Sequence, residues 1–212
     1  MKKKSKISEL VLERLALYHR LLTKMHFKNG DIIDSETFAQ YLSLDASLIR
    51  RDLSILGSIG RRGKGYETTR LIECIQDFLG KDIRKNVAVI GLGNIGKAIV
   101  RFLCSEDAPY SVNYIFDVNP ELVGNSFKGI KIYHINEFTP LTSTDTIDFV
   151  ILTLPVYAIQ NVNNIIINSN IKGILNFAPI HLNLPQNIAY REIDVIKELD
   201  TLSGLIKHNN SK

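Results

Sequence analysis

The sequence predicts an α/β protein in which a winged-helix domain precedes a Rossmann-type, doubly wound parallel sheet. Three observations lead to this fold class. The β-prone run Val87–Ile90 leads directly into a Gly-x-Gly-x-x-Gly pattern at Gly91–Gly96, and an apolar helical pattern follows. From there onwards apolar strands alternate with helices, as a parallel sheet requires. Ahead of them, a helix with arginine and serine on its outer face precedes a segment rich in glycine and cations.

Length and composition set the class of protein. The 212 residues suggest two domains, and 45% hydrophobic with 23% charged residues is typical of globular proteins. No apolar run approaches the ~20 residues that a membrane span needs, and Met1–Lys4 is not followed by the apolar stretch of a signal peptide. Cys74 and Cys104 form no Cys-x-x-Cys pair and suit a reducing compartment. We therefore expect a cytoplasmic protein.

The positive charge lies in the first part of the chain. Residues 1–84 contain 16 basic and 11 acidic side chains, whereas residues 85–212 contain 10 and 11. Such asymmetry indicates an acidic partner for the first part, most often nucleic acid. By charge alone, an ordinary solvated basic surface explains it equally well. We place the domains at residues 1–80, 81–194 and 195–212.

Four helices are predicted in the first region, the last of them at Thr68–Leu79. The first extends from about Ser8 to Lys24, the second begins at Asp34-Ser35-Glu36, and the third extends over Ala46–Leu56 after Asp45 as its N-cap. Ile49, Leu53 and Leu56 form one apolar stripe on the third helix. The polar residues that remain on its outer face are Ser47, Arg50, Arg51 and Ser54.

This third helix has the character of the recognition helix of a helix-turn-helix. Arginine can form paired hydrogen bonds with guanine in the major groove, and serine can contact bases or phosphates. The alternative is that Arg50 and Arg51 are solvated and pair with Asp52 or Asp45. The helix alone does not separate these interpretations.

The segment that follows, Gly57–Tyr66, favours DNA binding. It contains four glycines, three cations and an aromatic residue in ten positions, which is typical of a hairpin or loop. Cations on a hairpin next to a recognition helix are typical of the wing of a winged helix, where such cations contact phosphates or the minor groove. A solvated turn remains the alternative. The predicted wing contacts are Arg61, Arg62, Lys64 and Tyr66.

The glycine pattern after the domain junction predicts a dinucleotide site. Gly91 allows a tight turn, Gly93 lets the backbone approach a diphosphate, and Gly96 permits close packing of helix on strand. The diphosphate would lie at the helix N-terminus, beside Asn94 and Ile95.

A carboxylate at the end of the next strand refines the cofactor prediction. Asp117 follows Gly96 by 21 residues and ends the strand Val112–Asp117. A carboxylate in this position accepts hydrogen bonds from the adenosine ribose and repels a 2′-phosphate, which favours NADH/NAD⁺ over the phosphorylated dinucleotides. The alternative is that Asp117 only caps the turn that follows.

Further strands are expected at Ile130–Tyr133, Ile147–Leu154, Gly173–Ala178 and Ile188–Ile193. Open α/β sheets bind ligands at the carboxyl ends of their strands. Thr153, Pro155 and Phe177 lie at such ends and are predicted to contact the cofactor. Phe177 could equally be a core aromatic residue.

The tail, Val195–Lys207, is predicted to be an amphipathic helix. Such a helix could cover the chain's own sheet. It could also dock on a partner subunit.

Two alternatives remain to a DNA-binding protein that also binds a dinucleotide. An NAD-dependent oxidoreductase with an accessory helical domain would need a proton donor beside the nicotinamide. The chain has no Tyr-x-x-x-Lys, and His181 is the one candidate. A DNA-binding protein with a vacant Rossmann domain is the third class. No metal site is predicted, because His19 and His26 lack a ligand cluster.

In their order along the chain, these segments resemble the Rex family of bacterial redox-sensing transcriptional repressors. The similarity extends over nearly the whole chain. Its most specific stretches are Leu15–Arg20, Ile49–Gly57, Gly60–Tyr66, Gly91–Gly96, Phe116–Val118, Ile151–Pro155 and Ile171–Pro179.

The resemblance implies a non-enzymatic homodimer that binds double-stranded DNA at an operator of dyad symmetry. It also implies that NADH, and not NAD⁺, releases the protein, and that the helix in residues 195–212 is exchanged between subunits. Arg20 and Asp194 match an Arg/Asp pair that links the domains and subunits of that family. Phe102 replaces a tyrosine of the family's switch. Because its hydroxyl is missing, we expect weaker discrimination between the two redox states.

Overall fold

A computed structural model of the chain describes residues 7–25, 27–61, 63–105, 109–144 and 147–209. The chain divides into two compact units, Met1–Ile83 and Arg84–Lys212. None of the described helices is long and apolar enough to cross a membrane.

The N-terminal unit is a winged helix. In its described part, four helices and a small antiparallel sheet follow one another in the order α1 (Glu9–Lys24), β1 (Ile32–Ile33), α2 (Ser35–Leu42), α3 (Ala46–Ser54), β2 (Gly60–Arg61), β3 (Gly65–Glu67) and α4 (Thr68–Phe78). The strand order is β1-β3-β2, and β2 with β3 forms the hairpin of the wing. The predicted fold of this region is confirmed.

Side-chain caps explain where these helices begin. Asp34 accepts a hydrogen bond from the Thr37 amide, and Asp45 accepts from the Ser47 amide. Each cap satisfies a backbone donor that has no partner inside the helix. Helix α3 ends at Ser54, two residues before the predicted end, because the chain turns there and Gly57 adopts a φ of +91°. Glycine takes this left-handed conformation without the steric cost of a Cβ.

A charged network lies in the core of the N-terminal unit. Asp52 on α3 has a side chain that is 2% exposed, and its Oδ2 lies 2.6 Å from Arg14 Nε on α1. Arg14 Nη2 donates to Oδ1 at 2.8 Å, and the Tyr18 hydroxyl donates to Oδ2 at 2.8 Å. Burial by itself raises the pKa of Asp52, but the hydrogen bonds from Arg14 and Tyr18 outweigh it and keep the pKa below its ordinary value. The carboxylate therefore fastens α3 to α1.

A second buried polar contact joins His19 on α1 to Lys81, which follows α4. Lys81 Nζ lies 3.0 Å from His19 Nδ1, and His19 is 8% exposed. An ammonium group only donates, so Nδ1 accepts and the imidazole is neutral. Its Nε2 is buried, and no described group bonds to it. Burial, and after it the charge of Lys81, lowers the pKa of His19.

We expect this histidine to make the N-terminal unit less stable in mild acid. In the unfolded chain His19 takes up a proton at about pH 6.5, whereas in the folded chain it stays neutral to lower pH. Its contribution to stability is therefore complete above about pH 6.5 and is lost as the pH falls through the folded pKa. The unfolding temperature, followed by calorimetry from about pH 7.5 to 5, should fall more steeply in the wild type than in His19→Gln. His181→Gln serves as the control, and equal slopes for wild type and His19→Gln would contradict this expectation.

The second unit is a doubly wound sheet with helices on both faces. Its elements in chain order are β4 (Lys85–Ile90), α5 (Asn94–Leu103), β5 (Tyr110–Asp117), β6 (Ser126–Phe127), β7 (Ile130–His134), α6 (Phe138–Thr144), β8 (Phe149–Leu152), α7 (Val156–Ile167), β9 (Gly173–Asn176), β10 (Ala189–Glu192) and α8 (Val195–Asn209). The strand order is β10-β9-β8-β4-β5-β7-β6. All pairs are parallel except β6 with β7. The predicted Rossmann-type sheet is confirmed.

The alternation of side chains along β4 divides the core into two layers. Val87 and Val89 pack in the cluster on one face, and Ala88 and Ile90 pack in the cluster on the other. A strand that is buried on both faces reads as a continuous apolar run, which is why it was visible in the sequence. Strand β6 and helix α6 were not predicted, because two and seven residues are too short for a periodic pattern.

Helix α8 leaves its apolar face uncovered. None of its described residues is buried, and the following side chains are more than half exposed: Val195, Leu199, Leu202 and Ile206. Asp194 begins the helix, since its Oδ1 accepts from the amides of Ile196 and Lys197. The helix therefore does not use its apolar face to cover the chain's own sheet.

Candidate functional site

The predicted cofactor residues meet at one edge of the large sheet. Strand pairing places Ile90 beside Phe116 on one side and beside Leu152 on the other, and Leu152 beside Asn176. The residue that follows each of these positions therefore lies at the same level. Those residues are Gly91, Asp117, Thr153 and Phe177.

The glycine loop is held by contacts that leave no room for side chains at two positions. Gly91 has a φ of +95°, and a Cβ there would lie 2.9 Å from the Thr153 carbonyl oxygen. A Cβ on Gly96 would overlap the Gly91 carbonyl oxygen. Close packing of helix α5 on β4 therefore requires both glycines.

Gly93 is different, because the space around it is open. It is the N-cap of α5 and forms no side-chain cap, and a Cβ on it would meet nothing within 4 Å. Its φ of −71° is available to any residue. Open space over an uncapped helix N-terminus is what a diphosphate needs, because amide donors and the helix dipole favour an anion there. The residues present thus fit a dinucleotide. Asn94 and Ile95 begin the helix beside this space, and both are exposed.

Asp117 binds the backbone on both sides of this edge. Its Oδ2 accepts from the Leu92 amide at 2.6 Å, which ties the glycine loop to β5. Its Oδ1 accepts from the amides of Val118 and Asn119 at 2.7 and 2.9 Å. The capping role weighed in the sequence is therefore present. Contact with a ribose stays a prediction, and it would use the remaining lone pairs of a carboxylate already held in place.

Two polar side chains shape the edge in ways that the sequence did not reveal. Thr153 donates its hydroxyl to the Gly91 carbonyl at 2.6 Å and so braces the glycine loop. Asn176 is completely buried; it donates to the carbonyl oxygens of Ala178 and Ile180 and accepts from the Ala178 amide. These bonds end β9 two residues before the predicted end and fold the chain back at Phe177, which is half-buried. In the sequence, the signal for these hydrogen bonds was a polar residue at the end of an otherwise apolar strand, because a buried polar side chain needs hydrogen-bond partners.

Pro155 lies at this edge, whereas Phe102 lies toward the other end of helix α5. Pro155 is exposed and is the N-cap of α7. Phe102 lies in the last turn of α5, and its side chain is 70% exposed, which is unusual for a phenylalanine. Arg20 is exposed on α1 in the N-terminal unit, whereas Asp194 is half-buried at the start of α8. Their pairing stays a prediction.

The oxidoreductase alternative rested on His181. Its Nδ1 lies 3.4 Å from Glu192 Oε2, and its ring packs edge-on against Tyr190. The histidine is exposed on the loop before β10. Within the described ranges, no three His, Cys, Asp or Glu side chains come together as a metal site.

The winged helix has a cleft of about 640 Å³ between the start of α2, helix α3 and the wing. Four of the predicted DNA-binding residues line it, namely Arg50, Ser54, Lys64 and Tyr66. Ser47 and Arg51 are exposed elsewhere on α3. Arg61 belongs to β2, whereas Arg62 lies outside the described residues.

Arg50 pairs with neither of the carboxylates considered in the sequence. Its Nη1 donates to Ser35 Oγ and to Glu36 Oε1, both at 2.7 Å. For Arg50 the hydrogen-bond partners thus differ from the alternative considered in the sequence, since Asp52 is bound to Arg14 and Asp45 caps α3. For Arg51 that alternative stays a prediction. Glu36 and Ser35 are thus site residues that sequence reasoning missed.

Comparison with known proteins identifies the family. Residues 82–180 match the family described as "CoA binding domain", and residues 6–54 match "Putative DNA-binding protein N-terminus". The chain is 36% identical over 198 residues to the redox-sensing transcriptional repressor Rex of Pediococcus pentosaceus, covering 93% of this chain and 95% of that one. This chain belongs to the Rex family. The Rex repressor of Bacillus licheniformis is 33% identical over 204 residues, covering 96% of this chain and 95% of its own.

Solved Rex structures share the whole architecture. RSP, a Rex-family repressor, has been solved in complex with β-NAD⁺ and operator DNA, and that structure matches with a TM-score of 0.89 and 29% identity, covering 98% of this chain and 95% of RSP. RSP in complex with β-NADH matches with a TM-score of 0.85 and 28% identity, covering 98% and 97%. The resemblance to Rex drawn from the sequence motifs is confirmed.

Proposed function

We propose that this protein is a transcriptional repressor that binds a dyad operator as a homodimer and is released from it by NADH. The observation that carries the proposal is that one chain combines two sites. A glycine loop with open space at Gly93 lies at the strand edge of one unit. A cleft between the recognition helix and the wing, lined by Arg50 and Lys64, lies in the other. The RSP structures, which hold NAD⁺, NADH and operator DNA on the same fold, support this combination.

The glycine loop would hold the diphosphate of the dinucleotide. Backbone amides at the start of α5 would bind the phosphates, and Asp117 would favour NADH/NAD⁺ by repelling a 2′-phosphate. Thr153, Pro155 and Phe177 would surround the nicotinamide end. The cofactor supplies a ring whose charge and planarity change on reduction. The residues of the chain only bind and orient it, and no proton donor is required of them.

The winged helix would bind the operator. Helix α3 would enter the major groove and present Ser47, Arg50, Arg51 and Ser54 to base edges and phosphates. The wing, with Arg61, Arg62, Lys64 and Tyr66, would meet phosphates or the minor groove. In a dimer the two recognition helices would lie ~34–36 Å apart, one turn of DNA.

The uncovered face of α8 supports the homodimer. Its more than half-exposed apolar side chains, Leu199, Leu202 and Ile206 among them, need a partner to be removed from water. A second copy that receives this helix by exchange would cover it on both subunits at once. Arg20 and Asp194 would then link DNA-binding domain, cofactor domain and partner subunit.

Coupling between the sites follows from linkage. NADH can release the operator only if it binds the DNA-free shape of the dimer more tightly than the DNA-bound shape. DNA must then weaken NADH binding by the same factor. Phe102 cannot donate the hydrogen bond of a tyrosine, so we expect the difference between NADH and NAD⁺ to be smaller than with tyrosine in that position.

A mobility-shift titration tests this proposal. A duplex selected from a random library by the protein should be bound with two chains per duplex. NADH should weaken binding more than NAD⁺ does, and Phe102→Tyr should widen the difference. Failure to select any duplex, or equal effects of the two cofactors in both proteins, would contradict the proposal. NADH oxidation with a small 2-keto acid or aldehyde by the purified protein would support the oxidoreductase instead.

A further inference from the structure

Part of the Arg50 guanidinium is hydrogen-bonded within the protein in the absence of DNA. Nη1 carries two hydrogens, and it donates to two oxygens of α2, Ser35 Oγ and Glu36 Oε1, each at 2.7 Å. Ser35 Oγ also donates to Glu36 Oε2 at 3.0 Å, so the three side chains form a closed triangle. Both donors of Nη1 are therefore used inside the protein.

The rest of the guanidinium is available to a ligand. Nε and Nη2 keep three hydrogens, and among the described residues no further hydrogen bond engages them. One hydrogen on Nε and one on Nη2 point the same way and form a fork that matches two acceptors. The arrangement leaves this one edge of Arg50 for recognition, and Arg50 lines the cleft together with Ser54, Lys64 and Tyr66.

Glu36 is a surprising residue for a surface that would meet DNA. Its side chain is 65% exposed, and its hydrogen bonds with Ser35 and then Arg50 lower its pKa, so it is charged at neutral pH. A carboxylate beside phosphates weakens DNA binding of every sequence through repulsion. Its contribution must therefore be something other than raw affinity.

We propose that Glu36, aided by Ser35, is a specificity-determining residue that positions Arg50 so that its Nε/Nη2 edge contacts a base and not a phosphate. An unrestrained arginine on a helix reaches many phosphates, which adds affinity without sequence information. Held by two bonds to α2, the guanidinium is confined to the cleft. The bidentate contact it can then make discriminates between bases. This inference rests on the proposed function, because it requires that α3 meets an operator.

The test compares a selected operator with a scrambled duplex of the same composition at one salt concentration. The variants are Glu36→Ala, Glu36→Gln and the control Glu73→Ala, which removes an exposed carboxylate from α4. Glu36→Ala should lower the ratio of operator to scrambled affinity by about tenfold, with tighter binding of the scrambled duplex. Glu36→Gln keeps a hydrogen-bond acceptor, so it should lower the ratio less than Glu36→Ala does. Glu73→Ala should leave the ratio unchanged.

A second comparison separates positioning from a structural role. Arg50→Lys keeps a positive charge but lacks the paired N–H donors, so it should lower the ratio of operator to scrambled affinity by a similar factor. Adding Glu36→Ala to the Arg50→Lys variant should not lower this ratio further, since Glu36 acts through Arg50. Unfolding temperatures of all variants should stay close to that of the wild type.

Three results would overturn the inference. The first is an unchanged ratio in Glu36→Ala. The second is a larger gain of affinity for the operator than for the scrambled duplex, which would make Glu36 a competitor of DNA. The third is a loss of the affinity ratio in the variant with both Glu36→Ala and Arg50→Lys that equals the sum of the two single losses in free energy. If the wild type selects no duplex at all, the proposed function fails, and the inference fails with it.

Discussion

Gly93→Val is expected to weaken NADH binding by at least about 100-fold while leaving the fold intact. A Cβ on Gly93 meets no protein atom within 4 Å, and its φ of −71° suits valine. The branched side chain would instead fill the space where the diphosphate approaches the amides of α5. NADH binding is measured by the fluorescence of the nicotinamide, and folding by the thermal unfolding temperature.

Gly96→Ala provides the contrasting control. Its Cβ would overlap the Gly91 carbonyl oxygen and lie 2.9 Å from Thr153 Oγ1. That variant should lose both NADH binding and stability, because α5 can no longer pack on β4. Undiminished NADH binding by Gly93→Val would show that the glycine loop is not the cofactor site.

Asp52→Asn is expected to destabilise the N-terminal unit by about 3 kcal/mol, because it leaves Arg14 without its buried counter-ion. The side chains of Arg14 and Asp52 are 22% and 2% exposed, so water cannot replace the lost carboxylate fully. Since the same carboxylate fastens the recognition helix to α1, operator binding should fall as well. Denaturant unfolding measures the loss of stability.

The pH dependence of this loss follows from the lowered pKa of Asp52. The carboxylate contributes its stability above its unfolded pKa of about 3.9 and loses it as the pH falls through the folded pKa. The difference between wild type and Asp52→Asn should therefore be constant near neutrality and shrink in strong acid. Asp77→Asn, an exposed position on α4, is the control. A loss below about 1 kcal/mol would contradict a structural role for this pair.

Much of the fold could be predicted because its signals are local. The run Val87–Ile90 before the glycine pattern, and the caps Asp34 and Asp45, involve residues that are neighbours along the chain. Boundaries were less accurate where a side-chain hydrogen bond ended an element, because such a bond leaves no periodic pattern in the sequence. Strand β9 stops at Asn176 because that side chain binds the loop after it.

The candidate sites were located by sequence, but their internal organisation was not. The glycine pattern and the arginines of α3 directed attention to the two regions where the structure has the open glycine loop and the cleft beside the wing. Thr153 as a brace for Gly91 could not be anticipated, since the two positions are 62 residues apart and meet only through the pairing of β4 with β8. For Asp117, the sequence proposed ribose binding or capping as alternatives, and the structure shows the capping contacts.

By itself the sequence determined the two-part architecture, the glycine loop and the position of the recognition helix, because hydrophobic periodicity, turn glycines and caps are encoded within a few residues. Only the tertiary structure decided which charges meet. Arg14 and Asp52 are 38 residues apart, and Arg50 and Glu36 are 14 apart. No spacing rule connects such pairs, because an ion pair forms between whichever side chains the packing of α1, α2 and α3 brings within reach.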